Sequence, residues 1–121
     1  IIKDMILSNI TNVIPILQDK SIYNIIKYTL NNNNIKTHKI ETAIKTNQIT
    51  PNTLIIIDTD LGNNYTKNII NKIKKTNACP YIILAISKNY RYFLTDPLHP
   101  AISGIIYKPF DIEELFQIVN N

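Results

Sequence analysis

Short, continuous apolar runs alternate along this chain with stretches of helical periodicity, and that alternation constrains the fold more than any other feature. Val13–Leu17, Leu54–Ile57 and Tyr81–Ile86 are almost wholly apolar, as expected of strands buried on both faces of a parallel sheet. Ile35–Ile40 and Ile105–Tyr107 read as two further strands. Ile22, Ile25, Ile26, Thr29 and Leu30 recur at i, i+3, i+4, i+7 and i+8 behind Ser21 as a cap, and predict a helix. Thr42–Gln48 predicts a short helix, and Tyr65–Lys75 a longer one with Tyr65, Ile69 and Ile73 on its inner stripe. The last helix is the plainest: Asp111 and Glu114 form a capping box, and Ile112, Leu115, Phe116 and Val119 mark its buried side. Strands and helices in this order imply an α/β domain, a five-stranded parallel sheet with helices on both faces.

Two segments depart from the pattern. Residues 1–12 precede the first strand and read as a linker or the tail of a preceding segment, leaving 13–121 as one domain. Before the fifth strand, where another helix belongs, Pro97 and Pro100 forbid a continuous one, so the fourth helix should be short or irregular, at most a turn or two over Asn89–Leu94.

Composition excludes several functions. The net charge of +4 comes from scattered lysines, with Arg91 the only arginine, so no basic stripe addresses nucleic acid. No apolar stretch is long enough to span a bilayer, so no membrane contact is expected. Cys79 is single, which rules out a disulfide framework or zinc spacing; it reads as a small buried hydrophobe in a reducing, cytoplasmic setting. His38 and His99 have no partner at a ligand spacing.

The chemistry concentrates where two of the strands stop. Leu54–Ile57 ends in Asp58-Thr59-Asp60, and Gly104–Tyr107 ends in Lys108-Pro109. Parallel strands deliver both groups to one sheet edge, and ligands of open α/β sheets bind outside the carboxyl ends of the strands. A carboxylate and an ammonium meeting there suit phosphate handling.

Along about residues 13–121 the chain resembles the receiver domain of two-component response regulators and hybrid histidine kinases. The resemblance rests on Leu54-Ile55-Ile56-Ile57-Asp58, on the stretch from Ile106-Tyr107-Lys108-Pro109-Phe110 to Leu115, and in part on Ile16-Leu17-Gln18-Asp19. It implies a flavodoxin-like strand order 2-1-3-4-5 and a phosphoacceptor module rather than an enzyme, with at most self-catalysed phosphotransfer to Asp58. Asp58 would be the nucleophile and form an acyl phosphate. Asp19, Asp58 and Asp60 would hold Mg²⁺, Asp60 through its backbone carbonyl, with Gln18 a weak contributor where the family has an acid. The Asp60 side chain would restore the charge lost at Gln18. Lys108 would pair with Asp58 at rest and with a phosphoryl oxygen after transfer, helped by a cis bond to Pro109. At the switch positions Ala85 stands where Thr or Ser belongs, with Ser87 two residues later. Ile105 replaces the family's aromatic, and Tyr107 lies just before the lysine.

The partner implied is a histidine kinase or phosphotransfer domain. A homodimer through the 90–110 side is a further expectation, because Tyr90, Tyr92, Phe93, Tyr107 and Phe110 gather there. Three versions of such a site remain: a phosphorylated switch, a relay that passes the group on, or a phosphorylation-independent pseudo-receiver used for protein contacts. Asp58-Thr59-Asp60 also resembles the Asp-x-Asp of haloacid-dehalogenase-like phosphatases, with Ser87 and Lys108 in the next two roles. That motif normally follows the first strand of a longer chain, and here no acidic pair free of helix capping follows Lys108.

Overall fold

The computed structural model describes residues 10–87 and 100–119. The strands are β1 (Asn12–Ile16), β2 (Lys36–Thr37), β3 (Thr53–Asp58), β4 (Tyr81–Ser87) and β5 (Gly104–Lys108). They form one all-parallel sheet in the order β2-β1-β3-β4-β5, a flavodoxin-like α/β arrangement. The helices are α1 (Lys20–Asn31), α2 (Ile40–Lys45), α3 (Asn63–Lys74) and α4 (Ile112–Val119), and a 3₁₀ turn spans Thr59–Leu61. No helix among the described residues is long and apolar enough to cross a membrane.

Alternation along the strands divides the core in two. Ile14, Ile16, Ile55, Ile57, Ile82, Leu84, Ile86 and Ile105 pack with Ile40 and Ala43 of α2 and Ile69, Ile70 and Ile73 of α3. Val13, Leu54, Ile56, Ile83, Ala85 and Ile106 pack on the opposite face with Ile26 and Leu30 of α1 and Leu115 and Val119 of α4. Both faces are covered, which is why these strands read as unbroken apolar runs.

Several boundaries differ from the sequence expectation. The second strand shrinks to two residues, and Ile40 opens α2, where it is buried in the core instead of ending a strand. As the outermost strand, β2 pairs on one side only, so little holds a longer run extended. Asp19, not Ser21, caps α1: its Oδ1 accepts the Ser21 N–H at 2.8 Å. Ile26 and Leu30 are buried, whereas Ile22 and Ile25 are 42% and 57% exposed, so the inner stripe of α1 is narrower than its apolar pattern. On α3 the inward positions are Thr66, Ile69, Ile70 and Ile73, and Tyr65 sits at the margin. Cys79 is exposed, not buried, and has φ +48° just before Pro80. Asp111 caps α4 as expected, accepting the Glu114 N–H at 2.9 Å.

Ile10 is buried against the α1 face, and the Thr11 carbonyl accepts the Lys36 N–H at 3.1 Å, so the sheet begins slightly before residue 13. Residues 1–9 of the expected leading segment lie outside the described residues. So do 88–99, with the expected short fourth helix and Tyr90, Tyr92 and Phe93 of the expected dimer side.

Candidate functional site

Asp58 is the last residue of β3 and shares the α1/α4 side of the sheet with Leu54 and Ile56, two and four residues earlier. Only 3% of it is exposed. A carboxylate so placed needs partners, and it has them. Oδ1 accepts the Asp60 N–H at 3.0 Å and the Lys108 ammonium at 2.8 Å, while Oδ2 accepts the Gln18 N–H at 3.2 Å. The ends of β1, β3 and β5 thus meet on one side chain. Gln18, which stands where the resemblance leads one to expect an acid, contributes through its backbone N–H, a contact the side-chain identity does not announce.

Lys108, the last residue of β5, precedes a cis peptide to Pro109. Its Nζ also reaches Asp60 Oδ2 at 2.6 Å, so one ammonium bridges two carboxylates. Desolvation disfavours the ammonium, but the hydrogen bonds and charges of Asp58 and Asp60 outweigh it and raise the lysine pKa above its usual 10.5. The other Asp60 oxygen, Oδ1, is buried without a hydrogen-bond partner among the described residues. Such an acceptor is costly unless something else approaches it.

A concavity of about 430 Å³ opens over Asp58 and Lys108, lined besides by Leu17, Gln18, Asp19, Ile22 and Phe110. Asp19 therefore shares a pocket with Asp58 while also capping α1. No three His, Cys, Asp or Glu side chains converge as a metal-ligand cluster among the described residues. Even so, the donors fit Mg²⁺, a hard ion that takes one or two carboxylates and keeps several waters. Asp19 and Asp58 line the pocket, whereas the Asp60 carboxylate, expected to restore the charge lost at Gln18, is ion-paired to Lys108 and is not among the lining residues.

The remaining sequence candidates fall on known positions. Ala85 is the β4 residue in register with Asp58, and it presents a methyl group there. Ser87 is in register with Lys108, half-buried, on the same face as Ala85. Ile105 is buried on the opposite face of the sheet, and Tyr107 packs partly buried on that same opposite side. Neither of the last two enters the Asp58 pocket.

Thr59 is a residue that sequence reasoning passed over. It is 4% exposed, and its hydroxyl donates to the Ala85 carbonyl at 3.1 Å, tying the turn after β3 to β4 beside the carboxylate. The signal the sequence offers is a threonine between two aspartates at the end of an apolar run.

No family model matches the chain, and no curated protein matches it. Among solved structures it is similar to an adenylate cyclase from Rhodopirellula baltica, at 11% identity with a TM-score of 0.67, over 91% of this chain and 84% of that one. At that identity the likeness concerns the fold, and the chain shares with that protein a flavodoxin-like parallel α/β sheet.

Proposed function

We propose that this chain is a receiver-like phosphoacceptor module in which Asp58 takes a phosphoryl group from a phosphohistidine of a kinase or phosphotransfer domain. The observation that carries the reading is Asp58 itself: a nearly buried strand-end carboxylate, ion-paired to Lys108 at 2.8 Å, facing a pocket it shares with Asp19.

In the transfer, an Asp58 carboxylate oxygen forms a bond to phosphorus as the phosphorus–nitrogen bond of the donor imidazole breaks. The leaving nitrogen takes up a proton. Three residues prepare this chemistry. The Gln18 and Asp60 N–H groups orient the nucleophile, and Lys108 supplies positive charge where phosphoryl oxygens arrive. Asp60 keeps that ammonium in the site when it leaves Asp58 for the phosphoryl group. Asp19, Asp58 and the Asp60 carbonyl would hold Mg²⁺, whose charge offsets that of the transferring group.

Intact mass after incubation with acetyl phosphate and Mg²⁺ tests the reading. Wild type should gain one phosphoryl group and Asp58→Asn none; an unmodified wild type sinks it. Sustained turnover of p-nitrophenyl phosphate would instead identify a phosphatase.

A second reading rests on Ala85. With a methyl group in register with Asp58, and the Ala85 carbonyl held by Thr59, β4 offers no hydroxyl there to follow a phosphoryl group. A pseudo-receiver working through protein contacts accords with that arrangement. It is favoured if Asp58→Asn leaves partner binding unchanged.

A further inference from the structure

The sheet edge carries a second concavity, which borders the Asp58 pocket at Leu17. It holds about 530 Å³, within the range of small-ligand sites. Its floor is apolar, from Ile16 and Leu17 at the end of β1 and Leu61 beyond β3. The crevice therefore straddles the point where strand order reverses between β1 and β3, the general position for ligands in doubly wound sheets.

Its walls are cationic and aromatic. Lys20, Tyr23 and Lys27 follow one another at i, i+3 and i+7 on α1, Lys39 stands at the start of α2, and Tyr65 comes from α3. None of the three lysines has an ion pair among the described residues. Lys20 opens a helix whose first turn holds no acid, and Lys39 occupies a cap position without a side-chain capping bond. Cations at helix starts oppose the dipole, so local helix energetics do not explain this clustering. An anion in the crevice would relieve it.

The tyrosines add a requirement that a bare anion does not meet. Tyr23 is half-buried and Tyr65 stands exposed at the margin of α3, and both line the crevice. Tyrosine rings can stack on a flat aromatic group. Glu41, also on the wall, is an acceptor for ring N–H groups.

We infer that this crevice binds a nucleotide, with Lys20, Lys27 and Lys39 on the phosphates and Tyr23 and Tyr65 against the base. The site is separate from the phosphoacceptor pocket and does not depend on its chemistry.

The test is ¹H–¹⁵N NMR titration of the chain with ATP and with GTP at low salt without Mg²⁺, with sodium tripolyphosphate, adenosine and a poly-glutamate peptide as comparisons. One or both nucleotides should shift amides of residues 20–27, 39–41 and 61–65 saturably. Lys20→Gln/Lys27→Gln should weaken binding about ten-fold or more, since charge-assisted contacts are lost. Tyr23→Ala should weaken nucleotide but not tripolyphosphate, and Asp58→Asn should bind like wild type. The inference is overturned by absent shifts, by tripolyphosphate or the acidic peptide binding as tightly as the nucleotide, or by shifts confined to the Asp58 pocket.

Discussion

Lys108 Nζ lies 2.8 Å from Asp58 Oδ1, and the ion pair joins the carboxyl ends of β5 and β3 across the intervening β4. Asp58 is enclosed while the lysine side chain is 22% exposed, so the carboxylate depends on the pair more than the ammonium does. Removing the cation leaves Asp58 and Asp60 facing each other unscreened. Lys108→Ala should therefore destabilise the domain by about 2 kcal/mol, less than a fully buried pair would lose. Asp58→Asn should cost less, because Lys108 keeps Asp60. Urea unfolding of the two variants decides the order; equal losses would contradict the asymmetry.

The sign of the Lys108 shift sets a pH window. Its folded pKa lies above 10.5, so its contribution is complete below that value and is lost as pH rises through the higher folded one. Stability measured from pH 7 to 10 should show no loss attributable to this residue, and Lys108→Met should remove any alkaline decline that begins above 10.5. For His38 the sign is opposite. Burial, then the charge of Lys36, lowers its pKa below 6.5, so its contribution is present above 6.5 and lost as pH falls through the folded value. His38→Gln should flatten that acidic decline.

Asp19 caps α1, and under the proposed function it would also hold Mg²⁺; substitution can separate the two. Asn caps a helix about as well as Asp, whereas Ala lacks the acceptor and typically costs about 1 kcal/mol. Asp19→Asn should thus leave thermal stability nearly unchanged while lowering Mg²⁺ affinity, and Asp19→Ala should lower both. A stability loss in the Asn variant matching the Ala variant would show that the cap bond to Ser21 is not what holds the start of α1.

The Thr59 hydroxyl should be worth about 1 kcal/mol, the usual net value of a buried hydrogen bond. Thr59→Val keeps the shape but leaves the Ala85 carbonyl without that donor, whereas Thr59→Ser keeps the donor. Chemical denaturation should place Ser between wild type and Val.

Much of this architecture was legible because both sheet faces are covered. Leu54–Ile57 and Tyr81–Ile86 read as central strands because both their faces are apolar, and the order of the strands led to Asp58 at the end of β3 and Lys108 at the end of β5, on one edge. Local signals failed where packing chose between equivalent residues. Ile22, Ile25, Ile26 and Leu30 all satisfy helical spacing, and only the position of α1 on the sheet decides that Ile26 turns inward and Ile25 outward. Likewise Asp19 and Ser21 are both good caps, and the choice follows from where β1 releases the chain. Asp60 was weighed for its charge, but its grip on Lys108 depends on a 3₁₀ turn that apolar periodicity does not encode.

The brevity of β2 bears on how copies of this chain meet at high concentration. A sheet margin with unpaired N–H and C=O groups is a template on which another strand can grow, and its danger scales with its length. On this side the margin is two residues long, starts with Lys36, and passes through His38 and Lys39 directly into a helix. That leaves too little extended backbone to seed a ladder, and it places positive charge where a second copy would approach. The shortest strand of the sheet acts as its guard against aggregation.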